Sequence, residues 1–236
     1  MARRHPIRPI MTDIVLLHGA LGAAEQLAPL AECLSESRRV HVVELEGHGR
    51  TPSARGFAMG HFVEQVVAAL DARGVGRAAL FGYSMGGYVA LLLAAAHPER
   101  AARVVTLGTK FRWDAETAAR EARRLDPATI RAKVPRFAEA LEARHAGAGG
   151  WETVLARTAE LLRGLGDAAP LTDETLGRVR CPACAAVGDR DATVTVEETA
   201  GAYRALSDGE LAVLPRTAHP IEGVDVDAIA ALIDRP

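Results

Sequence analysis

Apolar residues recur along this chain in two rhythms. Short apolar runs at Ile14–Leu17, Val40–Leu45, Ala78–Tyr83, Val104–Leu107, Ala183–Val187 and Leu211–Leu214 have the length of strands. Several are apolar nearly throughout, as strands are when both faces of a parallel sheet are covered. Between them lie helix-like segments at about 23–35, 58–73, 85–96, 196–206 and 224–233. In the second of these, Phe62, Val66, Ala69 and Leu70 fall on one helical face. Strands alternating with helices predict an α/β fold: a doubly wound, mostly parallel sheet of about six strands.

One stretch breaks the alternation. Residues 110–178 contain no strand-like run and read as helices, for example 114–125, 127–143 and 151–164. A glycine-rich break separates the last two, at Gly147-Ala148-Gly149-Gly150. The predicted organisation is therefore a core of residues 1–109 and 179–236, with a helical cap or lid at 110–178 inserted after the fourth strand. An insert leaving a strand's carboxyl end lies where open α/β sheets bind ligands. Its charged and apolar faces suggest packing on the sheet rather than independent folding.

Composition narrows the partners. The 236 residues carry 28 basic and 30 acidic side chains, for a net charge of −2, which argues against nucleic acid or an anionic membrane as the main partner. Hydrophobic residues make up 49% and charged residues 25%, the balance of a globular protein able to bury a core unaided. Three cysteines, Cys33, Cys181 and Cys184, do not make a disulfide framework. Arg3, Arg4 and Arg8 precede no apolar stretch of signal-peptide length, and Ile14–Leu17 is too short for a membrane span. The expectation is a cytoplasmic protein of unspecified oligomeric state, acting on a small molecule.

The chemistry concentrates around Gly82-Tyr83-Ser84-Met85-Gly86. An apolar strand runs into Ser84 and an Ala/Leu-rich helix leaves it, so the serine sits on a sharp strand-to-helix turn. Glycines two residues before and after let the two arms approach. The hydroxyl then lies at a helix N-terminus, where backbone N–H groups favour developing negative charge. A serine nucleophile needs a base. In hydrolases built on such a turn the order is serine, acid, histidine. Of eight histidines, His97, His145 and His219 follow Ser84; His97 lies at the end of the helix that leaves the serine and reads as structural. His145 lies in the helical insert with little apparent reason to be held in place. His219 follows the last strand, in a loop that can reach the serine. The acid falls in Gly188-Asp189-Arg190-Asp191, after the fifth strand: Asp191 is the choice, with Asp189 the alternative. One oxyanion donor is the Met85 N–H. The other is assigned to Ala20 N–H in His18-Gly19-Ala20-Leu21-Gly22, with Leu21 as the alternative. His18 reads as a residue that braces this loop.

Together these segments resemble the α/β-hydrolase superfamily. The resemblance rests on His18 to Gly22, Glu46-Gly47-His48-Gly49-Arg50-Thr51, Gly82 to Gly86, Gly188 to Asp191 and Ala218-His219-Pro220, in the family's order. It implies a structural role for His48 and a helical cap at 110–178. It also implies a cofactor-independent serine hydrolase of small carboxylic esters or related acyl groups, acting through Ser84, Asp191 and His219 and an acyl-enzyme. Thioester, lactone and C–C hydrolysis use the same machinery. A slow-turnover ligand sensor that signals to a partner protein is the alternative from another class. The chain departs from the pattern in two ways. Only 13 residues precede Ile14, so the sheet should be a reduced one, and Glu44 and Glu46 stand where the family often has Asp and Pro.

Other features read as structural. Cys181-Pro182-Ala183-Cys184 runs into a strand, where alternation puts the sulfurs on different faces, so neither redox chemistry nor a metal site is expected. Phe111, Trp113, Phe137 and Trp151 read as cap core, although Phe111, Trp113 and Leu21 could line a substrate pocket. Arg120, Arg123, Arg124 and Arg131 read as a solvated face.

Overall fold

A computed structural model describes residues 12–235; Arg3, Arg4 and Arg8 lie outside the described residues. Strand β1 (Thr12–Leu17) is followed by a 3₁₀ turn and helix α1 (Ala28–Leu34), then β2 (Arg38–Val43) and α2 (Met59–Ala72). Next come β3 (Ala78–Tyr83), α3 (Met85–Ala96) and β4 (Ala101–Leu107). Five helices in succession then interrupt the alternation: α4 (Ala115–Arg123), α5 (Pro127–Lys133), α6 (Pro135–Arg144), α7 (Trp151–Asp167) and the short α8 (Asp173–Leu176). The chain closes with β5 (Ala183–Gly188), α9 (Val196–Ala205), β6 (Gly209–Leu214) and α10 (Val226–Ile233).

The six strands form one sheet in the order β2-β1-β3-β4-β5-β6, and every pairing is parallel. The chain moves outward from β1 to β2, then returns to β3 on the other side of β1. The carboxyl ends of β1 and β3 therefore flank the switch point, where an open sheet has a natural crevice.

Period-two alternation divides the core into two layers. Val15, Leu17, Leu80, Val104 and Ala185 face one layer, with α2, α3 and α9; Ile14, Leu16, Phe81, Val105 and Ala186 face the other, with α1 and α10. Cys181 belongs to the first layer and Cys184 to the second, so the two sulfurs point to opposite faces, as alternation predicts. Burial pushes the Cys184 thiol up to about 11, and Cys181 also upward, so neither is poised as a thiolate. Helix α3 is apolar on nearly every side because it is covered on nearly every side.

Several boundaries differ from the sequence expectation, and at three of them the physical reason is plain. The second strand ends at Val43, short of Leu45, because the Leu45 N–H leaves the sheet and donates to His18 Nε2 at 3.0 Å. The fourth strand begins at Ala101, ahead of its apolar run. Arg103 disguises that start: it interrupts the run with a charge, yet it is buried in the strand and reaches Glu210 at 2.9 Å. The single helix expected over 127–143 is two helices. Pro135 lacks the N–H a continuous helix needs, and Val134 before it sits at φ −138°, ψ 62°.

The inserted helices start where side chains accept orphan N–H groups: Asp114 caps α4 through Thr117 N–H, and Asp126 caps α5 through Thr129 N–H, both at 2.7 Å. Ile130, Ala138, Leu141, Trp151 and Leu155 form a small core within the insert, while Val154, Leu161 and Leu165 join the main core. The insert thus shares its packing with the sheet layer. Among the described residues, no helix is long and apolar enough to cross a membrane. Leu141 is fully buried in the small core. Its replacement by Ala should cost about 2–4 kcal/mol, and hydrogen exchange should show the loss first in α5 and α6 rather than in the sheet.

Candidate active site

The turn after β3 is tightly constrained. Ser84 sits at φ 51°, ψ −116°, a left-handed conformation that side chains other than glycine seldom adopt. Its neighbours make that possible. A Cβ on Gly82 would overlap the backbone of Gly86 and Gly87, and a Cβ on Gly86 would overlap Leu17 and His18. Only glycines let strand and helix come this close. The Ser84 N–H donates to Leu107 O at 2.8 Å, and Thr109 Oγ1 donates to Ser84 O at 3.0 Å. Both hold the strained residue from β4 and the segment just after it. A non-glycine residue at such a φ costs about 1–3 kcal/mol and persists only where its surroundings over-determine it.

Asp191 follows β5, and its carboxylate is 2% exposed. Oδ1 accepts from Thr193 N–H at 2.8 Å and Val194 N–H at 2.9 Å, while Oδ2 meets His219 Nδ1 at 2.7 Å. Burial pulls its pKa upward. The His219 bond, the His219 charge and the two amides outweigh burial and hold the carboxyl below its usual value. Asp189 serves the backbone instead. It is exposed and accepts Thr217 N–H at 3.2 Å, fixing the turn after β6. His219 is braced through its backbone, where Tyr83 Oη donates to its carbonyl at 3.0 Å. Gly108, at φ 60°, lies under the pair; a Cβ there would stand 3.1 Å from both Asp191 Oδ2 and His219 Nδ1.

The first loop faces the same space. Gly22 N–H closes it onto Gly19 O at 3.1 Å, and Leu21 adopts φ 58°. His18 lies fully buried beneath it, with Nε2 accepting Leu45 N–H and Nδ1 therefore carrying the proton toward Gly19 O at 2.8 Å. That is the bracing role expected of it. His48 stacks on Phe57 at 4.8 Å and is structural, as the resemblance implies. Glu44, one of the departures from the family pattern, anchors the turn that follows: its carboxylate accepts Arg50 N–H at 2.8 Å and Thr51 Oγ1–H at 3.2 Å.

A cavity of about 460 Å³ brings these parts together, within the range of small-molecule sites. Ser84, Met85, Ala20, Leu21 and His219 line its floor, and Trp113, Leu125, Ile130, Phe137, Leu161 and Leu162 of the insert line much of the rest. Glu121 and Arg124 at its wall are paired at 2.8 Å, while the Arg131 side chain is exposed. Phe111 does not reach it. That residue is buried in the main core, and its N–H donates to Glu198 Oε1 at 2.7 Å. Phe111 is therefore not a pocket residue, because the chain turns it toward the sheet as it leaves β4. Among the described residues, no three His, Cys, Asp or Glu side chains gather where they could hold a metal ion.

Sequence reasoning overlooked Gly108, Tyr83 and Glu198, and it misread His145. That histidine is fully buried and held at both ring nitrogens, Nδ1 accepting Gly49 N–H at 2.9 Å and Nε2 lying 3.0 Å from Leu21 O. Its position in the insert hid partners 96 and 124 residues away.

Burial keeps these histidines neutral. It pushes the His18 pKa down to about 4, and lowers His48 and His145 as well. The unfolded chain takes up these protons near the ordinary value of about 6.5. Stability is therefore complete above that pH and falls as pH drops toward the folded value. Urea melts at about pH 7.5 and about pH 5 should differ by about 2 kcal/mol from His18 alone, and His18→Asn should flatten this dependence.

Comparison with known proteins places the chain. A family model described as the alpha/beta hydrolase fold matches residues 13–148, more than half of the sequence. The pimeloyl-[acyl-carrier protein] methyl ester esterase of Aliivibrio fischeri is 35% identical over 107 residues, which span 44% of this chain and 39% of that protein. The chain thus aligns with about two fifths of that relative's length. The esterase of the same name from Chromobacterium violaceum is 29% identical over 240 residues, covering 94% of this chain and 93% of the relative. Among solved structures, the 2-hydroxy-6-oxo-6-phenylhexa-2,4-dienoate hydrolase of Rhodococcus sp. strain RHA1 superposes with a TM-score of 0.77. It covers 96% of this chain and 90% of its own, at 24% identity, a likeness of fold. The match over β1 to α6, on a sheet of the same architecture, means that this chain belongs to the α/β-hydrolase fold family.

Proposed function

We propose that the protein is a serine hydrolase of carboxylic esters, with Ser84 as nucleophile, His219 as base and Asp191 as the acid that orients it. The observation that carries this reading is the 2.7 Å Asp191–His219 bond beside a cavity that His219 shares with Ser84. The order along the chain and the strained serine turn support it. So do the relatives named as methyl ester esterases.

The chemistry follows from the positions. With its Nδ1 proton directed to Asp191, His219 has Nε2 free to accept the Ser84 proton as Oγ attacks the ester carbonyl carbon. The carbonyl electron pair moves onto oxygen, which the N–H groups of Met85 and Ala20 stabilise; Leu21 N–H is the alternative to Ala20. Collapse expels the alcohol, which takes the proton from His219 and leaves an acyl-enzyme. Water, deprotonated by the same Nε2, repeats the sequence and releases the acid and the free serine. Asp191 remains ionised throughout, fixing the tautomer and stabilising the imidazolium. None of these steps uses a cofactor.

The helices at 110–178 act as the cap, and the acyl group lies against their apolar side chains. The wall favours an apolar acyl chain over a highly charged one, since its charged members are already paired, Lys110 with Glu198 and Arg124 with Glu121, and burying a further unpaired charge there is costly.

Ser84→Ala should lower hydrolysis of a p-nitrophenyl ester on the order of 10⁴–10⁶-fold; retained turnover would remove Ser84 from the mechanism. Asp191→Asn should reduce kcat far more than Asp189→Asn, because only Asp191 contacts the histidine. The opposite ranking, measured with the same ester, would exchange their roles.

A further inference from the structure

The cap does more than cover the cavity: the end of its helix α6 supplies two side chains that converge on one backbone atom of the loop beside Ser84. Arg144 Nη1 donates to Leu21 O at 3.1 Å, and His145 Nε2 reaches the same oxygen at 3.0 Å. The His145 tautomer is settled by its other nitrogen. Nδ1 accepts the Gly49 N–H, so the ring proton must sit on Nε2 and point at Leu21 O. Arg144 is steadied from outside by Glu25 at 3.4 Å and Glu222 at 3.7 Å.

The atom they hold belongs to a strained residue. Leu21 stands at φ 58°, where a branched side chain is disfavoured. The peptide between Leu21 and Gly22 is held at both ends, with its carbonyl on the two cap donors and its N–H on Gly19 O at 3.1 Å. With that peptide fixed, the left-handed φ of Leu21 sets the plane of the Ala20–Leu21 peptide and the direction of the Leu21 N–H, and through that peptide restrains the Ala20 N–H one residue earlier. Without the clamp, Leu21 can relax to negative φ and swing the neighbouring amides away.

We propose that His145 and Arg144 are positioning residues of the cap, which hold Leu21 in its left-handed conformation and so keep the second oxyanion donor of the 20–21 segment aimed at the Ser84 site. This rests on the reading of Ser84 as nucleophile. It makes the cap a structural part of the oxyanion site rather than a cover alone. The clamp requires a neutral His145 ring, because a proton on Nδ1 would face the Gly49 N–H. Glu44 and Glu25 face the ring with opposite effect to His18, His48 and Arg144, and burial keeps the ring neutral.

The test uses the full chain and three variants. His145→Phe keeps a ring in the buried site and removes both bonds; Arg144→Met removes the other donor; His145→Gln can still present an N–H toward Leu21. Each of the first two should lower kcat for p-nitrophenyl butyrate roughly 10- to 100-fold with KM little changed. Affinity for butylboronic acid, whose tetrahedral adduct on Ser84 places an oxygen in the oxyanion site, should fall in parallel. His145→Gln should recover most of both losses. A purely structural role would leave the boronate affinity of the folded variants unchanged. If His145→Phe does not fold, Arg144→Met carries the comparison. Unchanged kcat and boronate affinity in the folded variants, alongside an inactive Ser84→Ala, would overturn the clamp and leave the nucleophile standing. An active Ser84→Ala would instead overturn the reading on which the clamp rests.

Discussion

The close contact of β3 with the first turn of α3 is the constraint on which the rest depends. Gly82 and Gly86 allow backbone to meet backbone, and Ser84 between them is driven to φ 51°. That turn places a hydroxyl at the start of a helix whose first N–H groups lack intrahelical partners, at the sheet's switch point. The loops after β1, β5 and β6 leave the sheet at the same carboxyl end because all six strands are parallel. Parallel topology thus does for the whole site what the two glycines do for the serine. It gathers segments distant in sequence without any of them needing a long reach.

The second theme is how polar groups are buried around that end. The His48 ring has His18 at 5.2 Å on one side and His145 at 5.9 Å on another, an arrangement that would be costly if any were charged. Neutral tautomers turn His18 and His145 into connectors. His18 joins the first loop to Leu45, beyond the end of β2, and His145 joins both loops to the insert. Asp191 is the contrasting case, a buried carboxylate kept ionised by two amides and an imidazole. Local hydrogen bonding, rather than burial alone, decides which groups keep their charge.

Much of this was legible in the sequence because it is local. The β3–turn–α3 unit shows its bounds to the residue, since apolar run, serine and helix are contiguous and the glycine spacing follows from sterics. The Asp191 and His219 positions are marked by strand ends and chain order, and the sulfurs of Cys181 and Cys184 separate by simple alternation. What was hidden is what depends on tertiary approach. Leu45 leaves the strand pattern for a bond to His18, 27 residues earlier. Gly108 looks like an ordinary strand-end glycine until Asp191 and His219 lie over it. Phe111 reads as cap core with a place in the pocket wall open to it, but the Glu198 carboxylate on its N–H and that of Arg112 fixes the path out of β4, and the ring is buried in the main core. The helix expected over 127–143 breaks at Pro135, a local signal that the sequence carries in plain view because proline cannot continue the helix through Val134.

The central claim is that Ser84 is a nucleophile activated by His219. A fluorophosphonate probe tests it most directly, because it reacts with an activated serine whatever the natural ester. Mass analysis of the labelled, digested protein should find one adduct, on Ser84, and His219→Ala should lose it. An adduct on another residue, or none on the folded protein, would contradict the claim.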